Sequence, residues 1–194
     1  MQYKTEKQFL VAQSHFRKER RVWNIKSKCQ KIQGPEKLKS DLQLRKDLKS
    51  KIPKDYLPMW LREREIETRQ VEPVDLLRAE KLPPYRSTWM KPTGKLPSDE
   101  RIHQALLLYV SDMGLLGAAV NPHEVNFMSK KFQSASLDHV MWFHGKVNFN
   151  NWILHHMHSP ISQNARGFSR GSIYTKAGKL VASTAQEGLM RIWD

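Results

Sequence analysis

Asp99-Glu100-Arg101-Ile102-His103-Gln104-Ala105-Leu106-Leu107-Leu108-Tyr109-Val110-Ser111-Asp112-Met113-Gly114-Leu115-Leu116-Gly117-Ala118-Ala119-Val120 is the stretch on which the fold turns. Its apolar residues fall on nearly every face of a helical period, so the spacing predicts a helix over about 99–120 that is covered on most sides. Ser98 is the expected N-cap, and the acids that follow it occupy the first turn, where the helix dipole favours negative charge. Asn121-Pro122 ends the helix, because a proline restricts the residue before it. His103, Gln104 and Asp112 argue for a protein core around this helix rather than a lipid one.

Strand-like runs surround it. Downstream they are Ser136 to His144, Trp152 to Ser159, Arg166 to Thr175 and Lys179 to Met190. Ala177-Gly178 joins the last two as a hairpin. Upstream, Ile66 to Leu77 and Arg86 to Met90 read as strands separated by Pro83-Pro84, and Gln8 to Phe16 reads as another. One buried helix among antiparallel strands is an α+β arrangement, and a sheet curled round the helix is the simplest way to cover it.

Charge divides the chain unevenly. The formal net charge is +14. Residues 1–56 hold 16 Lys/Arg against 6 Asp/Glu, and residues 57–194 hold 17 against 13. A basic N-terminal third attracts nucleic acid, anionic lipid or polyphosphate in principle. No nucleic-acid motif accompanies the charge, so residues 17–59 read as a solvated, Lys-rich linker with short helical turns near Leu38, Leu42 and Leu48. A nucleic-acid partner is not expected. The single cysteine, Cys29, leaves no disulfide within the chain and no Cys-based zinc site. No run of 18 apolar residues is free of charge, so no membrane span is expected. The N-terminus lacks the apolar centre of a signal peptide, and the ending Arg191-Ile192-Trp193-Asp194 is not a Ser-Lys-Leu-type address.

Three polar residues stand out by position. Asp112 lies in an apolar helix, where a carboxylate without partners is costly to desolvate. Ser136 opens a strand and shares one face with Asp138 at period two, with Leu137 and His139 on the other. Gln186 interrupts the last strand before Glu187-Gly188. Its amide both accepts and donates, so it suits positioning rather than proton abstraction. Each also has a plainer reading: Asp112 at an interface or capping a loop, Ser136 as a turn hydroxyl, and Gln186 as a polar rung on a half-exposed strand. A Ser/His/Asp triad built from Ser136, Asp138 and His139 or His144 is conceivable, but Ser136 does not stand in a Gly-x-Ser-x-Gly elbow. His155, His156 and His158 lack the ligand set of a metal site. Arg166 and Arg170 suit either phosphate binding or ordinary surface charge.

Four segments in order carry a resemblance. They are Tyr109-Val110-Ser111-Asp112, Ser136-Leu137-Asp138-His139-Val140-Met141-Trp142-Phe143-His144, Ala165-Arg166-Gly167-Phe168, and Gly178-Lys179 through Gln186-Glu187-Gly188-Leu189-Met190-Arg191. Together they resemble the TesB-type (thioesterase II) acyl-CoA thioesterases over about residues 60–191, and more weakly over residues 8–16. The resemblance implies a double hotdog, each half an antiparallel sheet wrapped round one long helix. It implies that residues 60–194 form the second, C-terminal hotdog, and that residues 1–16 are a remnant of the first hotdog's last strand. It places the family's catalytic residues on Asp112, Ser136 and Gln186. The implied reaction is hydrolysis of fatty acyl-CoA to free acid and CoA by an activated water, with no cofactor or metal, in the peroxisome or cytoplasm. Most of the first hotdog does not precede this one, so the resemblance further implies either a truncated, non-catalytic binder or a homo-oligomer paired through hotdog edges.

Overall fold

The structure, a computed structural model, describes residues 32–75, 77–125, 127 and 129–193. The expected strand at residues 8–16 lies outside these residues, as does Cys29. In chain order the elements are α1 (Asp41–Asp47), α2 (Leu57–Trp60), β1 (Ile66–Gln70), β2 (Tyr85–Pro92), α3 (Glu100–Ser111), α4 (Leu115–Val120), β3 (Phe132–Ser136), β4 (Val140–Phe143), β5 (Ile153–Gln163), β6 (Arg166–Thr175) and β7 (Leu180–Ile192). The class is α+β, as the residue pattern implies.

The seven strands form one antiparallel sheet in the order β1-β2-β5-β6-β7-β3, with β4 also paired to β7. Period-two alternation builds its inner face. Ile153, His155, Met157 and Ser159 of β5 are buried, as are Gly167, Ser169, Gly171 and Ile173 of β6, and Ala182, Thr184, Gln186 and Gly188 of β7. The β6–β7 hairpin turns at Ala177-Gly178 as expected. Gly178 adopts φ +80°, a left-handed conformation in which a Cβ is strained, and its N–H donates to Thr175 O at 2.8 Å.

The long helix differs from the expectation in two ways. It is broken: Gly114 takes φ +79° between α3 and α4. It is also only half covered. Leu107 and Val110 pack with Ile153, Ile173, Val181 and Ala182, while Tyr109 is 65% exposed and Ile102, Leu108 and Met113 also face outward. An apolar pattern on all sides therefore reflects an uncovered outer surface on α3 as well as a core surface. The stretch Glu100–Val120 is long and apolar enough to cross a membrane by length and composition. The break at Gly114 and the burial of Leu115, Gly117, Ala118, Ala119 and Val120 make it a core element here. Its N-cap is Asp99 rather than Ser98. The Asp99 carboxylate accepts from Arg101 N at 3.0 Å and pairs with the Arg101 guanidinium, which pulls its pKa to about 2.

Two other expected strands are shorter or divided. The run from Ile66 pairs only to Gln70 and then leaves the sheet. The run Ser136 to His144 is two strands: β3 ends at Ser136 and β4 begins at Val140, both on the same edge of β7.

From Ile32 onward the basic segment is docked, not solvated. Trp89, Leu154 and Tyr174 on the outer face of the sheet are covered by Ile32 and Leu38, and Trp89 Nε1 donates to Gln33 O at 2.8 Å. Arg69 Nη1 donates to Pro35 O at 2.7 Å. Ser40 and Gln43 form a reciprocal capping box on α1. Arg45, 3% exposed, pairs with Asp41 at 2.8 Å and donates to the carbonyls of Trp60 and Arg62, while Trp60 Nε1 returns a bond to Arg45 O. Bonds of this kind to backbone carbonyls fix a chain path that hydrophobic content alone does not.

Candidate active site

The three singled-out residues come from three elements and meet at one point. Asp112 caps the C-terminal end of α3, just before the break at Gly114. Ser136 is the last residue of β3, and Gln186 sits mid-β7. Ser136 Oγ donates to Asp112 Oδ1 at 3.0 Å, and Gln186 Nε2 donates to Ser136 Oγ at 2.8 Å. Gln186 is 1% exposed, so the plainer reading of it as a rung on a half-exposed strand does not hold. Asp112 and Ser136 are exposed, so Asp112 does not carry the desolvation cost that its place in the sequence suggests.

Local sequence explains the convergence. Gly188 pairs with both Ser136 of β3 and Gly167 of β6. A Cβ at Gly188 would lie 2.6 Å from Leu116 Cδ1, and one at Gly167 would lie 2.5 Å from Ala119 Cβ. These two glycines let α4 settle directly on the sheet, which brings the end of α3 down to β3 and β7. Asp138 closes the loop between β3 and β4: its Oδ1 accepts from Glu187 N at 2.7 Å, and the N–H groups of Leu137 and Asp138 donate to Glu187 O.

Two further residues join the cluster: Ser111, which the residue pattern does not single out, and His139, which it raises only as a member of a conceivable Ser/His/Asp triad. His139 Nδ1 lies 2.7 Å from Gln186 Oε1, and His139 Nε2 lies 2.8 Å from Ser111 Oγ. Ser111 is fully buried and also reaches Leu108 O at 2.8 Å. Period-two counting put His139 on the face opposite Ser136. The break in the strand between Ser136 and Val140 removes that constraint.

The remaining candidates separate from this point. A Ser/His/Asp triad does not form, because Asp138 bonds to backbone and His139 reaches Ser136 only through Gln186. His144 bonds Ser183 at 2.8 Å on the exposed side of β7. His156 bonds Ser87 at 3.0 Å, and burial followed by the charge of His158 lowers its pKa. His155 is fully buried. Desolvation, then the charges of His139 and His156, depress its pKa to about 3. Among the described residues no three His, Cys, Asp or Glu side chains are grouped to hold a metal. Arg166 pairs with Glu187 at 3.1 Å, and Arg170 stacks over the Phe168 ring at 5.3 Å.

The acyl-CoA thioesterase family model matches residues 61–189. This chain belongs to that family. Acyl-CoA thioesterase 2 of Haemophilus influenzae is 36% identical over 140 residues, which cover 72% of this chain and 49% of that relative. The peroxisomal acyl-coenzyme A thioester hydrolase 1 of Saccharomyces cerevisiae is 33% identical over 92 residues, 47% of this chain and 26% of that relative. Among solved structures, the acyl-CoA thioesterase II TesB2 of Mycobacterium marinum superposes with TM-score 0.63 and 25% identity, over 91% of this chain and 60% of that one. A hot dog fold protein of unknown function from Alicyclobacillus acidocaldarius superposes with TM-score 0.61 and 13% identity, over 91% and 60%, which speaks to the fold alone. The fold is thus a hotdog. The chain spans about half the length of the Haemophilus relative.

Proposed function

We propose that this chain hydrolyses fatty acyl-CoA to free acid and CoA, and that Asp112, Ser136 and Gln186 hold the attacking water. The observation that carries the reading is the unbroken relay of donors from Gln186 through Ser136 to the Asp112 carboxylate, in a chain of the thioesterase family. Gln186 keeps a second amide N–H, and Asp112 keeps a second oxygen. A water between them is oriented by one and gives its proton to the other as it attacks the thioester carbonyl. Collapse of the tetrahedral adduct breaks the C–S bond, and the proton held by Asp112 goes to the departing thiolate. No covalent acyl-enzyme is required.

Residues 60–194 act in this reading as the second half of a double hotdog, with residues 32–59 as a clasp on the back of its sheet. Exposed Tyr109 on α3 and exposed Met113 just beyond it flank Asp112 in sequence and support burial against a further hotdog, supplied by a second copy through its edge. The substrate class implies a role in lipid metabolism. The yeast relative's name supports a peroxisomal location, with the cytoplasm as the alternative.

The test is release of free thiol from medium- and long-chain acyl-CoA by the purified chain, with its oligomeric state measured alongside. Asp112→Ala and Gln186→Ala should each abolish release. Full activity in both variants would overturn the assignment of roles. Acyl-CoA binding without hydrolysis at any chain length would leave a binding protein instead of an enzyme.

A further inference from the structure

The direction of every hydrogen bond in the site can be worked out from Asp112. An ionised carboxylate only accepts, so the Ser136 hydroxyl spends its one proton on Asp112 Oδ1, 3.0 Å away. Ser136 Oγ must then accept from Gln186, which puts the amide NH2 on that side at 2.8 Å. The amide oxygen is left facing His139 Nδ1 at 2.7 Å. An oxygen there only accepts, so Nδ1 must carry a proton. On the far side of the ring, Nε2 lies 2.8 Å from the buried Ser111 hydroxyl. When the ring is neutral, Ser111 donates to Nε2. When the ring carries both protons, Nε2 donates to Ser111, and Ser111 donates to Leu108 O, 2.8 Å away. The proton on Nδ1 is retained in both states.

An amide has nearly the same shape when its oxygen and nitrogen exchange places. Turned over, Gln186 would present its oxygen to Ser136, take that hydroxyl's proton, and cut the relay to Asp112. Packing does not oppose this exchange; a donor at His139 Nδ1 does. We propose that His139 is a positioning residue whose Nδ1–H locks the Gln186 amide, so that Gln186 donates to Ser136 and Ser136 donates to Asp112. The inference deepens the thioesterase reading and rests on it for its kinetic consequence, though not for the tautomer itself. It gives the Leu137-Asp138-His139 run a division of labour: Asp138 fixes the loop to Glu187, and His139 fixes the amide of Gln186.

Two measurements on the full chain test this. Nitrogen-15 NMR of the His139 ring at neutral pH should show a protonated Nδ1. A proton on Nε2 with a bare Nδ1 would overturn the proposal, whether or not the chain hydrolyses anything. The second measurement compares three variants by thiol release, with thermal melting as a check on folding. His139→Asn places an amide N–H near the position of Nδ1, while His139→Gln places one near Nε2. His139→Ala and His139→Gln should lose about 10²-fold in kcat with little change in KM, the scale of a misplaced catalytic group. His139→Asn should recover most of that loss. Parent-like kcat in His139→Gln, or a folded His139→Asn as impaired as His139→Ala, would overturn the proposal. If the parent chain itself is inactive, the thioesterase reading fails, and the ring tautomer alone decides the role of His139.

Discussion

Gln186 and Ser136 are joined across 2.8 Å although one is buried mid-strand and the other is exposed at a strand end. The bond carries direction, since nitrogen donates and the hydroxyl accepts. Gln186→Glu keeps the shape and reverses that direction, leaving two acceptors to compete for one hydroxyl proton. Hydrolysis at neutral pH should fall by about 10²- to 10⁴-fold, the range of a lost acid–base arrangement. Ser136→Thr retains the hydroxyl and should stay close to the parent. Parent-like hydrolysis in Gln186→Glu, measured by thiol release, would show that the direction of the bond does not matter.

Gly167 is a packing position with a consequence for the site. Its missing Cβ leaves room for Ala119 Cβ and for Met190 Sδ, each 2.5 Å from where that atom would stand. Met190 can swing aside, but Ala119 has no rotamer to change. Gly167→Ala should therefore lift α4 from the sheet at a cost of about 1–3 kcal/mol, typical of overpacking. Urea unfolding should show a lower midpoint with an unchanged m-value. An unaltered midpoint would mean that α4 does not sit this close.

The parts legible from sequence are those that a period reports. Alternation over Arg166 to Thr175 and Lys179 to Met190, with a Gly at the turn, located β6, β7 and their hairpin. Period is silent about features that single contacts decide. Ser136 to His144 alternates acceptably as one strand, yet the hold of Asp138 on Glu187 N divides it and turns His139 toward Gln186. The helix pattern gave α3 and α4 together, but it could not tell an inner apolar face from an outer one left open at Tyr109. The charge of the basic segment suggested solvation. Arg45 is buried nonetheless, because two backbone carbonyls and Asp41 replace its water.

That buried arginine yields a stability prediction. The Arg45 and Asp41 side chains are 4% and 13% exposed, and the guanidinium ties α1 to the end of α2. Arg45→Ala strands two carbonyls and leaves the Asp41 carboxylate only the longer contact to Arg64 at 3.6 Å, and should cost about 3–5 kcal/mol, as removing one partner of a buried pair does. Arg45→Met, which refills the volume, still leaves Asp41 without this partner. Adding Asp41→Leu to it should recover much of the loss. Chemical unfolding of the single and double variants checks this, and a double variant no better than Arg45→Ala would refute the account.

His155 should make stability depend on pH. Its ring is fully buried, and desolvation first, then His139 and His156, hold its pKa near 3 against 6.5 when unfolded. Above pH 6.5 the ring is neutral in both states and contributes no pH dependence. Between 6.5 and about 3 the unfolded chain binds a proton that the folded chain refuses, so stability falls as pH falls. Below about 3 both states hold the proton and the slope vanishes. Within the window the loss approaches about 1.4 kcal/mol per pH unit. His155→Gln has no proton to bind, and its unfolding free energy should be flatter than the parent's by that one-proton slope. Parallel curves for parent and variant, measured from pH 7 to 4, would mean that the ring is not held neutral by burial.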